Sequence, residues 1–258
     1  MRRERPFWAD DAGEATRIGS VPDAAIDALP GDVRANLGAI WEMRAGMELH
    51  VGAGFAVITR ELIETGADPA VLRICARAID DEVSHAAICL ALAERHDGRE
   101  HSFPAPEPLH VPSHDDARGA LLATLHLTAM ACLNETIASV RLAAALRDCT
   151  SPVVARGLKT ILRDEIEHAR AGWAHLASAQ VSLAHKREVA ARLPAIIAAS
   201  VAGLLDENRA LPADGFRTLG LPSVEETRAV ALAAIDDVVL PGFEAVGVAT
   251  DLARAWQR

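Results

Sequence analysis

The chain has 258 residues, half of them apolar, yet aromatics make up only 3% and tyrosine is absent. Sheet cores draw on β-branched and aromatic side chains, whereas a chain rich in Ala, Leu, Arg and Glu favours helix, so the composition stands against an all-β fold. A formal net charge of −10 argues against nucleic-acid binding, which needs a basic face.

The opening residues, MRRERPFWADDAGEA, have a basic start without the apolar stretch of a secretory signal. Residues 1–31 read as an N-terminal tail, with an apolar stretch from Val21 to Leu29 long enough for one helical turn. Asp32, after Pro30-Gly31, is the expected N-cap of a first long helix over Val33 to Thr65, ended by Gly66. Asp68-Pro69 opens a second helix to about His96, stopped by Gly98. Prolines at 104, 106, 108 and 112 make residues 98–114 an irregular connection, long enough to cross the side of a bundle. A third helix is expected from Asp115 to Arg147. Ser151-Pro152 starts a fourth, to about Ala179, and a fifth covers roughly residues 182–209. Pro212 and Pro222 bracket a loop. Ser223 to Glu226 fits a capping box for a sixth helix, which Pro241-Gly242 should kink or break.

No run of 18 uncharged apolar residues occurs; the longest low-charge segment, Leu193 to Leu205, reads as a buried helix, and no membrane span is expected. Cysteines at 75, 89, 132 and 149 form no CxxC pair, which suits buried thiols in a reducing cytoplasm. The expected fold is all-α. Two long hairpins are joined by one long crossover, as in a ferritin-like four-helix bundle, and two further helices follow. The metal-binding core would be residues 32–180 of a domain 32–258, with C-terminal helices in 181–258.

Two segments repeat: Asp81-Glu82-Val83-Ser84-His85 and Asp164-Glu165-Ile166-Glu167-His168. Both are DExxH, and on a helix the Glu and His, three residues apart, share a face. Each motif has a lone Glu upstream on the preceding helix. Glu48 and Glu82 lie about 28 and 23 Å from the first turn, and Glu135 and Glu165 about 24 and 21 Å from the second, at the rise of an α-helix. Glu42 and Glu61 fall at the wrong depth. Four carboxylates and two imidazoles, one Glu or one Glu-x-x-His pair per helix, are the donor set of a dinuclear carboxylate site. The imidazoles favour iron or manganese over calcium and magnesium.

On Glu48, Glu82, His85, Glu135, Glu165 and His168, the chain resembles the ferritin-like di-iron carboxylate superfamily over roughly residues 32–180. The Asp before each Glu is closest to the oxygen-activating branch, with a distant likeness to aminoarene N-oxygenases. The resemblance implies two metal ions, iron or else manganese, held by those six residues. It also implies that Asp81 orients His168 and Asp164 orients His85 by accepting the Nδ1 proton. The absence of tyrosine excludes a tyrosyl-radical role, and Ile161 stands where aminoarene N-oxygenases carry a further histidine. The implied function is a non-haem di-iron oxygenase or oxidase. It would use O2 to hydroxylate or N-oxygenate a small organic substrate, with an external electron donor. The alternative is an iron-handling ferroxidase or iron-binding protein. An apolar pocket would mark the former and an acidic ion path the latter. The C-terminal helices would cover a bundle face or build a homodimer contact.

Smaller features carry two readings each. Ser139, one turn after Glu135, is either a proton relay or a helical hydroxyl bonded to its own backbone. Ala45 and Gly52, flanking Glu48, leave either a cavity or a close helix contact. His175, two turns after His168, is either a further ligand or a capped, partly exposed residue. His50 and His126 point away from the metal stripe. Cys75, Cys89 and Cys132 fall near the metal-facing stripe and read as core rather than as a catalytic thiol, and His101, His110 and His114 read as surface loop rather than as a second metal site.

Overall fold

The computed structural model describes residues 18, 21–105, 109–115, 117–207 and 214–256. These residues are all-helical: α1 Ala24–Asp27, α2 Gly31–Thr65, α3 Pro69–Asp97, α4 Gly119–Asp148, α5 Pro152–Ala177, α6 Leu183–Glu207, α7 224–245 and α8 Asp251–Trp256. They contain no strand, only an isolated antiparallel bridge between Phe216 and Leu221. Most of the expected N-terminal tail, and Pro212, lie outside the described residues.

Local chemistry sets most boundaries. Gly66 adopts the left-handed conformation (φ 74°) that closes α2, and Ala67 N–H reaches back to Leu62 O at 3.0 Å. Asp68 then caps α3 by accepting from Ala70 N–H at 2.7 Å, with Pro69 in the first turn. Ser151 caps α5, and Ser223 with Glu226 forms the expected capping box on α7.

Three boundaries differ from expectation. Asp32 does not cap α2; Pro30 occupies that position without a side-chain bond, and Asp32 lies in the first turn. There its charge still favours the helix dipole. α4 begins at Gly119 rather than Asp115, because His114 and Asp115 both have positive φ (44° and 56°), which an α-helix does not admit. Pro241 does not break α7. The five residues before Leu240, Ile235–Val239, form a π-helical turn whose wider spacing accommodates the proline ring and its missing N–H.

α2 pairs with α3 and α4 with α5, and α3 packs on α5 to join the two hairpins. α6 and α7 cover α4, and α8 packs on α6. α4 is long and apolar enough to cross a membrane, a feature that counting charge-free runs passed over; 67% of its most apolar window is buried within the protein. It is the helix at the centre of the fold, touching α2, α5, α6 and α7.

α1 is anchored to α5 through one carboxylate, while Asp27 pairs with Arg95 of α3 at 2.8 Å. Asp23 caps α1 by accepting from Ala25 N–H at 3.0 Å, and its other oxygen accepts from Ser151 Oγ and from Val153 N–H at 3.4 Å, at the start of α5. Asp23 is 2% exposed and beside the apolar cluster that holds Ile18 and Ile26. Asp23→Ala leaves Ser151 and the α1 N-terminus without their acceptor, so a loss of about 2 kcal/mol is expected. Urea unfolding measures it; a change below about 0.5 kcal/mol would show that the anchor contributes little.

Candidate metal centre

All six expected donors converge. Glu48, Glu82, His85 and Glu165 place one ligand atom each within 4.8 Å of one another, and so do Glu82, Glu135, Glu165 and His168. Each group can hold a metal ion, and Glu82 and Glu165 belong to both. Glu48 stands on α2, Glu82 and His85 on α3, Glu135 on α4, and Glu165 and His168 on α5. Glu48 is half-buried; the other five are buried.

The histidine rings are oriented the opposite way round from expectation. His168 Nε2 lies 3.2 Å from Asp81 Oδ2, and His85 Nε2 lies 3.5 Å from Asp164 Oδ2. Nδ1 of each ring faces the carboxylates instead: His85 Nδ1 is 3.2 Å from Glu82 and 3.5 Å from Glu165, and His168 Nδ1 is 3.1 Å from Glu82 and 3.4 Å from Glu165. The reason is geometric. Nδ1 lies next to Cγ and stays level with the Glu three residues earlier, while Nε2 at the far side of the ring reaches the neighbouring helix. The expected pairing, Asp81 with His168 and Asp164 with His85, is present, with Nε2 in place of Nδ1. Each Asp is held in turn by an exposed arginine: Arg163 grips Asp164 with two bonds of 2.9 and 3.0 Å, and Arg77 approaches Asp81 at 3.4 Å.

Several of these atoms are close without being paired. Glu82 Oε1, Glu135 Oε1, Glu165 Oε2 and His168 Nδ1 are buried without a hydrogen-bond partner, although Glu82 Oε1 and His168 Nδ1 stand only 3.1 Å apart. Their side chains belong to the groups whose ligand atoms gather within 4.8 Å of one another, yet these atoms do not satisfy one another. Orphaned buried acceptors are costly, and a cation within those groups satisfies them, so the donor set fits metal.

Electrostatics agree. Burial, followed by the nearby charge of Glu82, raises the Glu48 carboxyl well above the usual range; burial and then Glu165 do the same to Glu135. Burial alone would lower His85 and His168, but the carboxylates that face them, Asp164 and Asp81 first and then Glu82 and Glu165, raise both well above a free imidazole. For Asp164, bonds from His85 and Arg163 outweigh burial and hold it well below the carboxylate range.

A π-helical stretch, Thr128–Glu135, ends on Glu135. No sequence signal pointed to it. π-Turns widen a helix locally and frequently mark functional positions. This one is possible because α5 presents Gly172: a Cβ there would lie 2.5 Å from Cys132 Sγ and 2.8 Å from Cys132 N. Trp173 beside it donates from Nε1 to Thr136 Oγ1 at 3.2 Å and packs edge-on to Phe243 at 5.1 Å. Phe55 meets His168 edge-on at 5.5 Å, and Cys89 Sγ approaches Glu48 Oε1 at 3.9 Å. Cys89, four residues after His85, falls near the metal-facing stripe by its spacing; Phe55 carried no such mark.

Gly52 is a close contact, since its Cβ would lie 3.1 Å from Glu82 Cβ, and Ala45 is buried in the core. Ser139 Oγ is buried with no partner, backbone included, and no bond joins it to the donors. His175 is not in either donor group; it is buried rather than partly exposed, shares a 3.0 Å hydrogen bond with Thr124, and is pushed down to about 4 by burial and then by His185. His50 is exposed, and His126 bonds Glu61 and Pro112 O, each at 2.8 Å. Cys75, Cys89 and Cys132 are buried, and burial pushes the Cys75 thiol up to about 12. His110 is exposed as expected, but His101 is not a free loop residue: Asp97 at 3.0 Å and Glu42 at 3.3 Å enclose its ring. Two clefts, near Arg141 and near Leu183, lie away from the six donors. Comparison with family models, characterised proteins and solved structures gives no match.

Two outcomes are expected. Gly172→Ala drives a methyl into the backbone of α4 and should cost about 1–3 kcal/mol in urea unfolding; a neutral effect would mean the helices separate freely. Protons and metal ions also compete for the same atoms. Since Glu48 and Glu135 are raised, they must lose protons to bind metal, so affinity should increase as pH rises through and above the usual carboxylate range. Mn(II) titration calorimetry in two buffers of different ionisation enthalpy checks this; binding without net proton release would contradict it.

Proposed function

We propose that the chain is a ferritin-like di-iron carboxylate protein of the oxygen-activating kind: an oxygenase or oxidase that uses O2 to oxidise a small organic substrate. The observation that carries this reading is the sharing of Glu82 and Glu165 between two four-donor groups. A single ion needs no second set, whereas two carboxylates common to both groups are what bridging between two ions requires. The helix order supports the fold assignment: two hairpins joined by one long crossover, with one Glu or one Glu-x-x-His pair per helix.

Glu48 and His85 would complete one metal position, and Glu135 and His168 the other, with Glu82 and Glu165 across both. Bound iron would supply the electron transfer to O2. The remaining functions belong to the chain. Asp81, hydrogen-bonded to Nε2 of His168, and Asp164, 3.5 Å from Nε2 of His85, would fix the ring angles and leave Nδ1 of each as the donor atom. Phe55, Cys75, Ala78, Ala131 and Ala171 belong to one buried cluster, and Ala45, Ala86, Cys89 and Ile161 to another. Together they exclude water from reactive species. Glu48, the least buried of the donors, is the ligand best placed to shift as charge changes.

The clefts near Arg141 and Leu183 do not reach the donors, so the reading against an iron-handling protein rests on the acids that flank the centre. Asp81 and Asp164, each beside a donor glutamate in sequence, are tied to a histidine and an arginine rather than free to pass ions inward. An external electron donor is part of the proposal, and manganese fits the same donor atoms.

The test is anaerobic loading with Fe(II), metal counting, then O2. Two irons per chain are expected, falling to about one in Glu135→Ala and in His85→Ala, with the fold intact by circular dichroism. Fewer than one iron in the parent chain sinks the di-iron reading. Iron accumulating well beyond two per chain after O2 assigns the protein to iron handling instead.

A further inference from the structure

Residues of α4 and α7, with Arg217 and Pro222, line a cleft of about 240 Å3. It lies on the far half of α4, on residues 141 to 148. Arg141, Ala144, Ala145 and Asp148 share one face by helical spacing. Its wall holds three arginines, Arg141, Arg147 and Arg217, against two acids, Asp148 and Glu226. In a chain of net charge −10 this is a local excess of positive charge.

These charges are not equally committed. Glu226 pairs with Arg217 and also accepts from Ser223 N–H at 2.9 Å to close the capping box. Arg147, in the last turn of α4, is exposed and has no ion pair among the described residues. Between the arginines the wall is apolar, formed by Ala144, Ala145 and Val230.

A second observation points to a ligand. Thr227 lines the cleft, is 1% exposed, and its Oγ1 has no hydrogen-bond partner. Four other helical threonines, Thr65, Thr124, Thr128 and Thr160, each donate to the carbonyl four residues back; the Thr59 hydroxyl of α2, like that of Thr227, is buried without a partner, but Thr59 lines no part of this cleft. Thr227 makes no such bond. A buried hydroxyl left unpaired beside a cleft is unfavourable unless something in the cleft pairs with it.

We propose that this cleft binds a small organic carboxylate. The carboxylate group pairs with Arg147 and Arg141, the hydrocarbon body lies on Ala144, Ala145 and Val230, and the Thr227 hydroxyl takes part in a hydrogen bond to the ligand. A bare inorganic anion leaves the apolar wall uncovered, and a neutral molecule leaves Arg147 unpaired. The site is independent of the metal centre, whose donors line no part of it.

Hexanoate is a suitable probe, titrated by calorimetry into the full chain in metal-free buffer, with 1-hexanol and sulfate in parallel. Expected are one saturable hexanoate site per chain, at least tenfold weaker binding of 1-hexanol and of sulfate, and at least tenfold loss for Arg147→Gln and for the near-isosteric Thr227→Val. No saturable site, equal binding of sulfate or 1-hexanol, or unchanged affinity in both variants overturns the proposal. A measurement on the parent chain is independent of how the variants fold: nuclear Overhauser effects should link hexanoate methylenes to the methyls of Ala144, Ala145 and Val230. Their absence under saturating hexanoate also overturns it.

Discussion

Four glutamates and two histidines sit among apolar side chains near the middle of the long helices, and the rest of the structure is arranged around their mutual repulsion and orphaned atoms. Carboxylates grouped this closely away from water are unfavourable unless positive charge, as protons or metal ions, balances them. Burial raises Glu48 and Glu135, and the surrounding acids raise His85 and His168, so the chain itself supplies protons where cations would sit. Asp81 and Asp164 extend the network outwards, and the exposed Arg77 and Arg163 end it at the surface. A buried charge cluster is thus connected to solvent through two short, roughly symmetric chains of hydrogen bonds and ion pairs.

Such a cluster needs backbones brought close and held there. Gly52 lets α2 approach Glu82 of α3, and Gly172 lets α5 approach the π-helical stretch of α4. The π-stretch ends on Glu135, and Thr136 and Trp173 fasten that point to α5. α7 seats Gly242 against the Trp173 ring, where a Cβ would come within 2.9 Å. The C-terminal helices therefore have a mechanical part in the centre: they back the helix segment that carries one of its carboxylates.

Much of this was legible in the sequence. The helix boundaries at Gly66, Asp68, Gly98, Ser151 and Ser223 follow from local capping chemistry, which needs only neighbouring residues. The six donors followed from a repeated spacing and from counting helical rise back from each turn. That count survived the π-stretch because residues 136–148, between Glu135 and the turn, are regular α-helix. What escaped depends on contacts between elements. The π-stretch is set by packing against Gly172. The ring orientation of His85 and His168 depends on how far α3 and α5 stand apart. The π-turn that carries α7 past Pro241 and the enclosure of His101 by Asp97 and Glu42 are likewise tertiary effects. The paired positive φ values at His114 and Asp115 were only weakly marked, since His and Asp tolerate that region but do not signal it as glycine does.

The central claim is that these six side chains form one site for two ions bridged by Glu82 and Glu165. Anomalous diffraction from crystals of the Mn(II)-loaded protein tests it most directly. The expected result is two peaks about 3.5–4 Å apart, one beside Glu48 and His85 and the other beside Glu135 and His168, with Glu82 and Glu165 between them. A single peak, or ions bound only at surface carboxylates with the six donors unliganded, would contradict it.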